Sequence, residues 1–181
     1  MAETIREIKL QTERLILRCQ REQDLDFLLE LWTDEKITKY IGGPRDKVKL
    51  VDSFNEVQAN GEDKYDLWYV VLKETGETIG MAGLLLKEIE GEDHYEVTYT
   101  IDKKHWNKGY ATEIAREIIS YHRKNDGIKT YVAIIDGGNA SSIKVAEKIG
   151  MTYWKTVTRN SLEKRIYRGD YNDDVIYGGT R

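Results

Sequence analysis

Residues 95–124 carry the pattern that most restricts what this chain can fold into. Tyr95, Val97, Tyr99 and Ile101 alternate with Glu96, Thr98 and Thr100, the period of a strand with two unlike faces. Soon afterwards Ala111, Ile114, Ala115, Ile118 and Ile119 recur at the spacing of an amphipathic helix, expected from about Gly109 to Lys124. The join is Trp106-Asn107-Lys108-Gly109-Tyr110-Ala111-Thr112. Gly109 and Ala111 let backbone come close to a ligand, and Lys108 adds a positive charge. Successive amides at the start of a helix point outward as unpaired donors, with the geometry and charge that a pyrophosphate needs. A plain loop with a glycine leading into a helix fits the same residues, so this segment alone leaves both readings open.

The flanking sequence predicts more strands and helices. Residues 14–19 suggest a first strand, and Leu25, Phe27, Leu28, Leu31 and Trp32 recur at helical spacing. A second helix, about Asp46 to Ala59, stops at Asn60-Gly61. Two apolar runs, 67–72 and 78–86, flank Glu74-Thr75-Gly76-Glu77 as a hairpin, and a turn around Gly91 leads to the alternating strand. Beyond the helix of residues 109–124 the pattern gives a strand 130–135, a turn at Asp136-Gly137-Gly138, a helix 139–149 ended by Gly150, and strands about 153–158 and 165–176. Strands before, between and after helices mean a mixed α/β sheet. No repeat or linker interrupts residues 1–181, which are read as a single domain.

Composition narrows the function classes. With 40% hydrophobic and 33% charged residues the chain is of ordinary globular type, able to bury a core without disulfides. Its one cysteine, Cys19, cannot form an intramolecular bridge. No apolar run approaches the roughly 20 residues that span a bilayer, and the opening residues lack a signal-peptide stretch, so no membrane role is expected and a cytoplasmic location is the default. A net charge of −4 gives no broad attraction to phosphate backbones, so no nucleic-acid partner is expected. His94, His105 and His122 lack compact ligand spacing, so no metal is expected. An acidic protein that binds an anion must concentrate positive potential locally, as a helix start does.

A second segment, Asn139-Ala140-Ser141-Ser142-Ile143-Lys144-Val145-Ala146-Glu147-Lys148-Ile149-Gly150-Met151, follows the next strand. Together with Tyr99 and Trp106 to Glu113 it resembles the coenzyme A-binding signature of GNAT acetyltransferases, within them the RimJ/RimL-like branch. The opening Thr12-Glu13-Arg14-Leu15-Ile16-Leu17-Arg18 and the end Tyr171-Asn172-Asp173-Asp174-Val175-Ile176-Tyr177 also look like that branch. The departures are Asn107 and Thr98, where the branch has glycine, and Met151, where it has phenylalanine; the first could constrain the loop.

The resemblance implies a GNAT fold, α/β of the α+β kind: a central twisted, mixed, mainly antiparallel sheet flanked by helices, whose middle strands splay apart. It implies acetyl-coenzyme A as acetyl donor, with no metal. The pantetheine arm would pair with backbone of Val97, Tyr99 and Ile101. The pyrophosphate would sit on the amides of Lys108, Gly109, Tyr110, Ala111 and Thr112, and Asn107, Asn139 and Ser142 would also contact the cofactor. Glu96 becomes the base for the amine; a solvent-facing glutamate is the plain alternative. Many members protonate the leaving sulfur from a tyrosine, but the aligned residue is Ala146, and Ser142 lies one turn earlier on the same face. Asn139 also suits a helix cap. Trp32, Tyr40 and Arg45 fall in the segment that covers the acceptor side, where packing explains the aromatics equally well. Cys19 has no evident base nearby, so direct transfer in a ternary complex is expected, by a monomer or homodimer. The favoured acceptor is a peptide or protein N-terminal α-amine. The alternatives are a small-molecule amine (antibiotic, polyamine or amino acid) or a non-catalytic acetyl-coenzyme A sensor.

Overall fold

The computed structural model describes residues 8–61, 66–159 and 162–170. Met1 to Glu7 and the stretch from Tyr171 to the end, including the branch-like segment 171–177, lie outside the described residues. The elements run β1 (Ile8–Gln11), β2 (Leu15–Arg18), α1 (Leu25–Thr33), α2 (Glu35–Thr38), α3 (Lys47–Asn60), β3 (Leu67–Leu72), β4 (Thr78–Ile89), β5 (Glu92–Ile101), α4 (Tyr110–Asp126), β6 (Thr130–Asp136), α5 (Ala140–Lys148), β7 (Thr152–Arg159) and β8 (Leu162–Asp170). One sheet takes the order β1-β2-β3-β4-β5-β6-β8-β7. Neighbouring strands are antiparallel except β5 and β6, which are parallel.

Alternation along the strands sorts the core. Trp68, Val70, Ala82, Leu84 and Val97 point to the face covered by α4 and α5, where Ile114, Ile118 and Ala146 meet them. Tyr69 and Met81, one residue out of phase, point to the other face, where they join Leu28 and Leu31 of α1 and Phe54 of α3. Beside that second layer, Ile89, Val132, Val157 and Ile166 form a further cluster around β6 to β8. The β4–β5 turn is tight: Glu90 (φ 54°) and Gly91 (φ 87°) both take positive φ, the two-residue form whose twist suits a hairpin.

Several expectations are corrected. Cys19 falls just past the end of β2 rather than within a strand, because pairing with β3 stops at Arg18. Strand β1 and the one-turn helix α2 were not expected; each has only four residues, too few to show a period. The last described strand, β8, starts at Leu162, earlier than residue 165, because its first residues extend the β7 hairpin through Arg159↔Leu162.

Candidate active site

The feature that makes a cleft is the parallel contact between β5 and β6. Residues of β5 pair with β4 throughout, from Ile89↔Glu92 to Gly80↔Ile101. Among the described residues β5 meets β6 in register at one position, Glu96↔Val132. Beyond it the strands part, so the splay expected of the middle strands is present and the β5 edge after Glu96 has no strand partner among the described residues. Backbone amides and carbonyls on such an edge seek partners, and a peptide-like ligand arm supplies them. Val97 and Tyr99 lie along this edge, whereas the Ile101 carbonyl accepts a hydrogen bond from Trp106 Nε1 at 2.7 Å.

Glu96 stands at the fork. Its Oε1 accepts from the Ile134 amide at a long 3.4 Å, so the half-buried carboxylate spans the place where the strands begin to part. Burial pushes its carboxyl above the ordinary value, and the charges of Lys87 and Arg159 and the Ile134 amide only partly offset this. Glu96 shares its sheet face with Thr98, Thr100 and, across β4, Met81. That is the α1/α3 side, opposite the side on which α4 and α5 lie.

At the open end of the cleft, α4 begins without a side-chain cap: Gly109 sits at its N-cap with φ 82°. By contrast, Asp34, Asp46 and Asn139 each accept backbone amides at the starts of α2, α3 and α5. The first intrahelical bond runs from the Glu113 amide to the Gly109 carbonyl. The amides of Tyr110, Ala111 and Thr112 precede it and are the unpaired donors of the helix start, which suits a pyrophosphate. Asn107, the departure from glycine, takes φ 61°. Asparagine is among the few side chains that tolerate this left-handed region, so the substitution preserves the loop instead of constraining it.

Helix α5 flanks the same cleft. Asn139 Oδ1 accepts from the Ser142 amide at 3.1 Å, which makes it a helix cap. The Ser142 carbonyl accepts from the Tyr99 hydroxyl at 3.3 Å, tying α5 to the open strand edge. Burial pushes the Tyr99 phenol up to about 12, so it remains a neutral donor. Ala146, four residues on, is buried in the core.

The three acceptor-side residues do not form one cluster. Trp32 donates its indole N–H to Met81 Sδ at 3.3 Å and lines a cavity of about 170 Å³ with Leu28, Phe54, Leu67, Tyr69 and Met81. Asp66 is the acidic residue of that lining. Its carbonyl lies over Gly83, where a Cβ would come within 1.9 Å, so the bare glycine opposite Thr98 lets the cavity wall reach the sheet near Glu96. Arg45 lies outside the cavity, its guanidinium 5.6 Å from the Trp32 ring. Tyr40 lies farther along, against Gly138, where a Cβ would stand 3.1 Å from its ring, and its carbonyl accepts from Lys164 Nζ. The cavity and Asp66 had no signal in the sequence, since five separated stretches, from Gln20, α1, α3, β3 and β4, build the wall.

The family model described as Acetyltransferase (GNAT) domain matches residues 14–152. This chain belongs to the GNAT acetyltransferase family. The acetyltransferase is 37% identical over 168 residues to YkkB of Bacillus subtilis (strain 168), covering 91% of this chain and 97% of that protein. It superposes on the acetyltransferase from Agrobacterium tumefaciens str. C58 with a TM-score of 0.75 at 26% identity, over 94% of this chain and 98% of that one. A Salmonella typhimurium acetyltransferase that modifies the N-terminal serine of ribosomal protein L7/L12 gives a TM-score of 0.74 at 14% identity, over 92% and 100% of the two chains, a likeness of fold. The GNAT acetyltransferase is thus an acyltransferase with acetyl-coenzyme A as its cosubstrate. No helix among its described residues is long and apolar enough to cross a membrane. Among the same residues no group of His, Cys, Asp or Glu is arranged to hold a metal ion.

Proposed function

We propose that this acetyltransferase passes acetyl from acetyl-coenzyme A to a primary amine by direct attack in a ternary complex, and that its favoured acceptor is the α-amine of a peptide or protein N-terminus. The observation that carries the reading is Glu96: a desolvated carboxylate at the β5/β6 fork, on the face that also carries the cavity. Acetyl-coenzyme A supplies a thioester whose carbonyl carbon the amine attacks; the new C–N bond replaces the C–S bond and the sulfur departs as thiolate. Glu96 takes the proton the amine loses, directly or through water. Ser142 donates to the departing sulfur, and the amides of Lys108 to Thr112 hold the pyrophosphate. Backbone of Val97 to Ile101 aligns the pantetheine arm, with Asn139 beside it holding the Ser142 turn in place.

Distances along the sheet favour an extended acceptor. Gly83, under the carbonyl of the lining residue Asp66, and Met81, itself in the lining, lie opposite Thr98 and Thr100, two and four residues from Glu96. At about 3.4 Å per residue this is roughly 7 to 14 Å, the span of two to four residues of an extended peptide whose terminal amine sits at Glu96. The wall is mostly apolar, and a cavity of about 170 Å³ accepts a side chain about as large as a phenyl ring. Such a lining suits an apolar side chain better than a polycation. The similarity in fold to an enzyme that modifies a protein N-terminus is in keeping with this, as is the RimJ/RimL-like sequence.

The experiment is thiol release from acetyl-coenzyme A across tetrapeptides with an apolar or a charged third residue, free amino acids, polyamines and aminoglycosides. The expected order places peptides with an apolar third residue first, and the protein mass stays unchanged when acetyl-coenzyme A is given alone. Preference for polyamines or aminoglycosides would refute the peptide acceptor; cofactor binding without turnover on any amine would indicate a sensor.

A further inference from the structure

We propose that Arg14, in the β1–β2 turn, is a positioning residue for coenzyme A: it braces the phosphate loop and cancels the charge of Glu113 beneath the pyrophosphate. The inference rests on the reading that places the pyrophosphate on the amides of Lys108 to Thr112.

Glu113 lies in the first turn of α4. A carboxylate there favours the helix dipole but opposes an anion bound at the same helix start, in a chain whose net charge is already −4. Burial raises its carboxyl, but hydrogen bonds from Thr12 Oγ1 at 2.5 Å, the Arg14 amide at 2.9 Å and Arg14 Nε at 2.7 Å outweigh this, and the net shift is downward. The negative charge is therefore fixed close to the anion site at neutral pH.

Arg14 meets that charge and the loop with one side chain. Its Nη2 lies 2.7 Å from Glu113 Oε2, its Nη1 donates to the Lys108 carbonyl at 3.1 Å, and its guanidinium lies 4.5 Å from the Tyr110 ring. A Cβ at Gly109 would stand 3.5 Å from Nη2. Arg14 thus touches or flanks Lys108, Gly109, Tyr110 and Glu113, the residues that form the loop and the first helical turn. Its own backbone is anchored, since its carbonyl accepts from the Lys73 amide at 2.9 Å. The side chain is 44% exposed, so part of the guanidinium faces solvent beside the loop. A lysine ammonium has donors for both Glu113 and the Lys108 carbonyl, but it lacks the planar fork whose three nitrogens meet them here while its face lies over the Tyr110 ring. An ion pair that merely tethered the hairpin to the helix would leave cofactor affinity untouched.

The test compares the full-length protein with Arg14→Met, Arg14→Lys, Glu113→Gln and the double variant Arg14→Met/Glu113→Gln. Coenzyme A affinity is measured by calorimetry, and turnover is measured with acetyl-coenzyme A and with the acetyl thioester of N-acetylcysteamine, which has no pyrophosphate. Arg14→Met is expected to weaken coenzyme A binding about tenfold, the loss of one charge-assisted contact. Arg14→Lys recovers part of this, and Glu113→Gln in the Met background recovers more than it gains in wild type. The short thioester is used equally well by all variants. Unchanged coenzyme A affinity in Arg14→Met, or an equal loss with both thioesters, would overturn the proposal. Gly109→Val separates the two readings: if it abolishes coenzyme A binding while Arg14→Met retains it, only the role of Arg14 falls; if Gly109→Val binds normally, the loop placement falls first. Should Arg14→Met fail to fold, Arg14→Lys and the double variant carry the same comparison.

Discussion

Replacing Glu96 by glutamine keeps the shape of the side chain and a hydrogen-bond acceptor for the Ile134 amide while removing the charge. At pH 7 an α-amine with a pKa of about 7.7 to 8.0 is only roughly 10 to 17% neutral, and at pH 9 it is more than about 90% neutral. A general base is worth about 10²- to 10⁴-fold, so Glu96→Gln should lower kcat by about that factor at pH 7. Between pH 7 and 9 the variant recovers roughly six- to tenfold, the rise in neutral amine, while wild type levels off once the raised carboxyl has ionised. The same desolvation gives a second readout of opposite sign. Folding raises the Glu96 pKa, so the folded state binds this proton more tightly than the unfolded one, and the group's contribution, fully present at low pH, is lost as pH rises through the raised value. Glutamine removes that penalty: Glu96→Gln should melt higher than wild type at pH 8 and close to it at pH 4. The assay is a pH–rate profile on the best peptide acceptor, with melting curves at both pH values. Superimposable profiles with equal melting would refute both the role and the burial argument.

Three further outcomes are expected. Gly109→Val forces a β-branched residue into φ 82°, and it should weaken coenzyme A binding by about tenfold or more in calorimetry while costing about 1–2 kcal/mol of stability. Ser142→Ala leaves the Asn139 cap and the Tyr99 bond in place, because both use Ser142 backbone; kcat should fall on the order of 10²-fold with coenzyme A affinity nearly unchanged, measured by steady-state kinetics and calorimetry. Asp24→Ala strands the buried Arg18, which Asp24 holds through bonds of 2.6 and 2.7 Å, and should cost about 3–5 kcal/mol in urea unfolding.

What the sequence revealed follows from which interactions are local. The join from β5 to α4 was legible because its period switches within a few residues, and the alternation at Tyr95 to Ile101 correctly put Glu96 on the face away from Val97 and Tyr99. Helix α5 was legible through Asn139 and Gly150, which mark its ends by local chemistry. The divergence of β5 from β6 has no period of its own; only family resemblance suggested it, since the partner of a strand edge lies in distant sequence. The Arg14–Glu113 pair is 99 positions apart, so neither residue signals the other. The cavity is likewise assembled from Gln20, α1, α3 and the β3–β4 hairpin, with Asp66 of its wall packed over Gly83.

On the function proposed above, coenzyme A lies in the β5/β6 fork with its pyrophosphate on the start of α4. A backbone amide NMR titration with coenzyme A tests it most directly. The largest shifts are expected at residues 97–101, 108–112 and 139–142, with α1 and α3 nearly still. Shifts concentrated on the cavity of Trp32, Phe54 and Tyr69, with residues 108–112 unmoved, would contradict it.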